Sequence, residues 1–160
     1  MGNGVYAYLG YGIVLDYEKL EDLPWDSFGE VEEGEEPRPT FDEWTYMVSP
    51  LGSRYDFSLP NWSYMEWYKR PGNTLGDEEF RKLKLAMESA SPIQETILDF
   101  NDHQAMLTIQ GTRTQASWGE PTTPVMSVSA ERIRAAKDFC HQHSIPFENP
   151  QWILIARADY

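Results

Sequence analysis

Apolar and polar positions along the 160 residues alternate with period two in some stretches and recur at helical spacing in others. VYAYLGYGIVL, from Val5 to Leu15, is rich in β-branched and aromatic residues and is interrupted by Gly10 and Gly12, which predicts a strand with a bulge or tight bend at the glycines. In WTYMV, Trp44, Tyr46 and Val48 alternate with Thr45 and Met47. Ser49-Pro50-Leu51-Gly52 then reads as a turn, and RYDFSL places Tyr55, Phe57 and Leu59 on one face, so the expectation is a β-hairpin. The following NWSYMEWYKR fits either a strand or an irregular aromatic segment.

Helical signals dominate the next stretch. DEEFRKLKLAMESA has Asp77 as a good N-cap, Glu78 and Glu79 at the positive end of the dipole, and Phe80, Leu83 and Met87 at helical spacing; Arg81, Lys82 and Lys84 make its outer face basic. Ser91-Pro92-Ile93-Gln94 has the form of a capping box with proline at the first helical position, predicting a second, short helix through Ile93, Ile97, Leu98 and Phe100. AMLTIQGTR alternates Met106, Thr108 and Gln110 against Leu107 and Ile109, a strand ending at Gly111. GEPTTP, from Gly119 to Pro124, is a loop. Ser129 caps a helix whose buried stripe is Ile133, Ala136, Phe139 and Cys140, and Pro146 forbids its continuation. QWILIARA closes the chain as an apolar strand. This order indicates an α+β fold: a single small mixed or antiparallel sheet with two to three helices packed mainly on one face. The length predicts one domain over residues 1–160, with an acidic, mobile loop over 29–40, where Gly34, Pro37 and Pro39 disfavour a packed element.

Composition adds that the chain should fold, since 41% of it is hydrophobic and 14% aromatic. No run of eighteen apolar residues is present, and MGNGVYAYLGYGIVL lacks the basic start and cleavage site of a signal peptide. The Met1-Gly2 start is not a myristoylation signal, which wants Ser or Thr where Tyr6 stands. The only cysteine, Cys140, excludes an internal disulfide and fits a reducing compartment. The expectation is a cytoplasmic protein.

Charge sharpens the picture through its location. Of the net −13, the segment from Asp16 to Glu43 carries −10, with twelve acids against Lys19 and Arg38. Such a field repels phosphates, which argues against direct binding of nucleic acid or an anionic membrane and favours the basic surface of a partner protein. Two readings of the acidic run stand: a solvated loop that maintains solubility, or a surface that docks on a basic site, even by imitating the charges of nucleic acid. Glu30 to Glu36 flank Gly34 and would not hold a fixed spacing. Asp16, Glu18, Glu21, Asp22 and Asp26, and Asp42 with Glu43, are better placed, because Leu20, Leu23, Trp25, Phe41 and Trp44 can pin their backbone.

Candidate chemistry is sparse. Cys140 and His143 share a helix face, but a structural zinc site needs four ligands; a buried inert thiol, with His141 and His143 partly positive at the helix C-terminus, is the simpler expectation. Asp99, Asp102 and His103 would converge on a hard cation only if the preceding helix ran through them, whereas Asn101-Asp102 read as a turn. No metal and no cofactor is expected. The chain holds no G-x-S-x-G, and neither Gly2–Gly4 nor Gly10–Gly12 has the strand-turn-helix context of a phosphate loop. Carboxylates are too numerous for any pair to stand out as glycosidase-like. Nine aromatics lie between Phe41 and Tyr68, and two readings stand: core and cross-strand pairs in a small sheet, or some of Trp62, Tyr64, Trp67 and Tyr68 lining an interface or groove.

The segment Y-x-Y-L-G-Y-G-I-x-L, Tyr6 to Leu15, with the acidic insertion and the closing D-F-C-H-Q-H-S-I-P-F-E-N-P-Q-W-I-L, Asp138 to Leu154, resembles small accessory proteins encoded by bacteriophages, most of them without assigned function. The resemblance implies a protein acting in the cytoplasm of an infected bacterium, where binding and blocking a host factor such as a defence nuclease is a common role. The functional expectation is therefore a non-enzymatic inhibitor or adaptor that docks on a basic site of a host protein. Its binding residues would be Asp16, Glu18, Glu21, Asp22, Asp26, Glu30, Glu32, Glu33, Glu35, Glu36, Asp42, Glu43, Trp44, Trp62, Tyr64, Trp67 and Tyr68, with no catalytic residue. The alternative is a module binding a nucleotide-derived signal in an aromatic pocket met by Arg54, Lys69 and Arg70. A carboxylate- or metal-dependent hydrolase is the third.

Overall fold

A computed structural model describes residues 5–20, 22–28, 33–34, 38–51, 77–99, 103–117 and 119–158. Among these, one antiparallel five-stranded sheet and three α-helices make an α+β fold. The chain divides into two compact units, Met1–Glu21 with Pro92–Tyr160, and Asp22–Ser91.

The first unit is organised on β1 (Val5–Asp16). One edge of β1 pairs with β5 (Gln151–Ala158) from Val5↔Ala158 to Gly12↔Gln151. The other edge is shared: β4 (Thr114–Ser117) takes Tyr6 to Leu9, and β3 (Gln104–Ile109) takes Gly12 to Asp16. Beyond β3 lies β2 (Ile93–Asp99), giving the order β2-β3-β1-β4 with β5 beside β1. Gly10 and Gly12 make no bulge, for the register with β5 runs unbroken through both. What they provide is room. A Cβ at Gly12 would lie 2.0 Å from the Leu107 carbonyl oxygen, and one at Gly10 would lie 2.7 Å from Thr108 Cγ2.

Ile93–Asp99 is a strand, not the short helix expected. Its β-branched Ile93, Thr96 and Ile97 pair with Ile109, Met106 and Ala105, and Ile93, Thr96 and Leu98 are buried. A ladder of this kind outweighs the local capping signal of Ser91 and Pro92. Residues Ala105 to Ile109 are all buried, so the expected two-sided alternation of β3 is hidden on both faces. The helix α3 (Ala130–Gln142) lies against β3; Ser129 caps it, accepting from the Arg132 N–H, and Ala136 and Cys140 are buried. It stops at His143, after which Ser144 takes a positive φ of 57°.

In the second unit, α1 (Phe41–Val48) replaces the first strand of the expected hairpin. The reason is local. Thr40 accepts from the Glu43 N–H at 3.3 Å while the Glu43 carboxylate accepts from the Thr40 N–H at 3.4 Å, a capping box that starts a helix. The second strand of that hairpin, RYDFSL, and the segment NWSYMEWYKR lie outside the described residues. The helix α2 (Asp77–Ala90) follows its predicted pattern, with Phe80 and Met87 buried, and packs against α1. Trp25 is 0% exposed and meets the Trp44 ring at 4.9 Å and the Phe41 ring edge-on at 5.0 Å; with Leu23 these side chains form the buried centre of this part.

Candidate protein-interaction site

The acids predicted to be ordered fall into two groups, one in each unit. In the first unit Asp16 ends β1 and caps a 3-10 turn, Tyr17–Lys19, its Oδ1 accepting from the Glu18 N–H at 3.2 Å. Lys19 Nζ stands 3.0 Å from Asp16 Oδ2. This hydrogen bond holds the Asp16 carboxyl below its usual range and raises the Lys19 ammonium above its own. Both groups are solvated, so the pair is worth little in stability. The Glu18 carboxylate lies 3.6 Å from His103 Nδ1, while Tyr17 donates its N–H to the His103 carbonyl at 2.9 Å and its hydroxyl to Glu95. A cleft of about 300 Å³ opens beside this turn, lined by Ile13 to Asp16, Lys19, Leu20, Pro146 and Glu148.

In the second unit Asp22 is exposed. Asp26 accepts from the Phe28 N–H at 3.0 Å through its carboxylate, and its own N–H reaches the Pro39 carbonyl at 2.8 Å. Arg38 is turned to structure: Nη1 donates to the Leu23 carbonyl at 3.1 Å. Asp42 and Glu43 occupy the first turn of α1. Burial raises both carboxyls above their ordinary range, and for Asp42 the charge of Glu88 adds to the effect while Lys84 opposes it. The Tyr46 hydroxyl donates to Glu88 and is pushed above its ordinary pKa by burial and then by that carboxylate. Lys84 Nζ lies 3.9 Å from the same Glu88 oxygen.

These contacts show what the acids do locally. Asp16, Asp26 and Glu43 each satisfy a backbone N–H at a turn or helix start, as carboxylates do where donors would otherwise be orphaned. Their positions are set by the backbone they cap. The predicted anchors Leu23, Trp25, Phe41 and Trp44 are buried, and Leu20 is half-buried. Trp44 was expected to face a partner; at 4% exposure its ring instead packs on Trp25. Glu33 is exposed. Glu21, Glu30, Glu32, Glu35, Glu36, Trp62, Tyr64, Trp67 and Tyr68 lie outside the described residues, as do Arg54, Lys69, Arg70 and Asp102. The Tyr46–Glu88 and Tyr17–Glu95 pairs had no sequence signal, since 42 and 78 residues separate their members.

Among the described residues no three His, Cys, Asp or Glu side chains are gathered as a metal site. Cys140 is 1% exposed, and burial pushes its thiol up to about 12, far from a reactive thiolate. His143 was expected to be partly positive. Burial lowers its pKa instead, and its ring lies 4.7 Å from that of Phe139. Among the described residues no helix is long and apolar enough to cross a membrane. No family model, curated protein or solved structure matches the chain.

Proposed function

We propose that the protein is a non-enzymatic acidic binder that docks on a basic surface of another protein, through carboxylates held by a packed aromatic core. The observation that carries this reading is the setting of Asp22, Asp26, Asp42 and Glu43 in the same unit as the buried Trp25–Phe41–Trp44 cluster, with the guanidinium of Arg38 donating to a backbone carbonyl. Carboxylates on a fixed backbone lose little freedom on binding, and a strong negative field steers a cationic partner to them. In this reading the partner is a host protein of an infected bacterium, with inhibition or adaptor function as the outcome.

The test is affinity capture from bacterial lysate with the native protein and with an Asp22→Asn, Asp42→Asn variant, each at low and high salt. Neither substitution removes a cap. The expected result is a discrete basic protein that the native chain retains at low salt, that high salt releases, and that the variant retains less well. Capture indifferent to both salt and variant overturns the reading, as does an absence of any basic protein among those retained.

A further inference from the structure

Among the described residues, the ladder of β1 leaves one short length of strand edge open. Tyr17 donates its N–H to the carbonyl of His103, which stands opposite it in the register of β1 with β3. In an antiparallel pair, residues alternate between those that exchange hydrogen bonds with the partner strand and those whose N–H and C=O point the other way. Tyr17, Leu15 and Ile13 therefore bond towards β3, while Val14 and Asp16 direct their N–H and C=O groups to the opposite edge. The Tyr11 N–H agrees with this parity, reaching Thr112 Oγ1 on the β3 and β4 side at 3.2 Å.

On that opposite edge β5 pairs only as far as Gly12↔Gln151. Continuation ends at Asn149, the residue that would stand opposite Val14 in this register, because its φ of 50° turns the chain off the strand direction. Buried Ile145 and Phe147 then anchor the departing segment, and Pro146 and Glu148 form a wall facing Ile13 to Asp16 across the cleft. Among the described residues no strand pairs with Val14 or Asp16 on this side. Val14 is 46% exposed there.

We infer that this cleft accepts an extended basic peptide segment of a partner protein, added as a short strand antiparallel or parallel to Val14–Asp16. Unpaired strand edges recruit extended chains through backbone hydrogen bonds, while side-chain pockets select among them. The cleft is bordered by the apolar residues Ile13, Val14, Leu20 and Pro146, and Val14 with its neighbours suits one aliphatic side chain. Charge chooses the class of partner. The Asp16 and Lys19 charges offset each other, whereas exposed Glu148 has no cation paired with it among the described residues, and Glu18 adds a second carboxylate at the turn. A lysine or arginine beside the aliphatic residue would meet them. A second copy of this chain is disfavoured, because edge-to-edge pairing would bring together two molecules of net charge −13. This inference stands apart from the acidic docking reading, since its specificity comes from backbone groups of β1.

Two blocked synthetic peptides separate it from charge attraction: one alternates valine with lysine and threonine, and the other has the same sequence with the amides of one strand edge N-methylated. Titrated into the isotopically labelled full chain, the first should protect the Val14 and Asp16 amides from hydrogen exchange, and the second should bind at least about tenfold more weakly, the loss of one good hydrogen bond. Glu148→Gln should weaken the first peptide while leaving the protein folded. Val14→Pro, which removes only an outward donor, should abolish protection at Asp16. Equal binding of the two peptides overturns the inference, as does failure of the unmodified peptide to bind, or protection on the outer edge of β5 at Leu154 in place of β1. The N-methylated comparison decides the matter if the proline variant does not fold.

Discussion

The two units are stabilised in different ways. In the first, β1 near the N-terminus pairs with β3, β4 and β5, whose residues lie about a hundred or more positions away, and the close approach at Gly12 is made to a strand remote in sequence. In the second, the described structure is mostly local: a capping box, an Asp26 turn, a helix pair and one aromatic cluster within twenty residues. The difference teaches where the acids belong. The first unit is built on a sheet whose strand β3 is covered on both faces, whereas the second uses carboxylates to start turns and helices around a small apolar centre.

Substitutions in each unit test that contrast. Trp25→Ala should have the largest effect, about 3–5 kcal/mol, because a fully buried indole leaves a cavity between Phe41 and Trp44. Urea unfolding followed by circular dichroism would measure it, and a loss under about 1 kcal/mol would mean that the cluster is not the centre of its unit. Gly12→Ala comes next, with a cost of about 1–3 kcal/mol, because the added Cβ must displace the Leu107 carbonyl. Its signature is specific: amides of β3 should lose hydrogen-exchange protection while those of α1 keep theirs.

Thr108→Val should act in the opposite direction. The Thr108 hydroxyl is buried with no hydrogen-bond partner among the described residues, so an isosteric methyl should stabilise the sheet by about 1 kcal/mol. A drop in melting temperature would show that the hydroxyl is satisfied after all. The smallest effect is electrostatic. Because the Asp42 pKa is raised in the folded chain, the folded state binds more protons than the unfolded one from about the ordinary value of 3.8 upwards, and the stability this provides is lost as pH rises through the folded value. Asp42→Asn should therefore be slightly more stable than the native chain at neutral pH, with the gap closing in acid below that ordinary value. An exposed side chain keeps the difference small. A gap that widens in acid would reverse the sign and mean that folding lowers the Asp42 pKa.

Much of the fold was legible because periodicity and caps agreed. The α2 and α3 stripes, the Ser129 cap and the strands β1, β3 and β5 all follow from their own residues. Three elements did not. For α1, the alternation of Trp44, Tyr46 and Val48 hid a Thr40-x-x-Glu43 capping box, and over eight residues the helical and strand patterns overlap. The Ser91-Pro92 signal misled in the other direction, since a strand already offered by β3 was worth more than an isolated short helix. TQAS in β4 carries no hydrophobic period at all and is a strand only because β1 presents an edge to it. For the site, the acidic residues and their anchors were visible, but the capping duties of Asp16 and Asp26 and the Glu88–Tyr46 pair were not.

By itself the sequence determined the α+β class, the helices α2 and α3, the strong negative charge between Asp16 and Glu43, and the apolar neighbours that hold part of it. Each of these rests on residues close together in the chain, where spacing and side-chain chemistry act directly. Only the tertiary structure decided that Gly10 and Gly12 serve close approach to β3, that Trp44 is core, and that β5 ends its pairing at Gly12, short of Val14 and Asp16. Those outcomes depend on which distant strand arrives at an edge and how far it runs, and a hydrogen-bond ladder is satisfied or left unmade by both partners together.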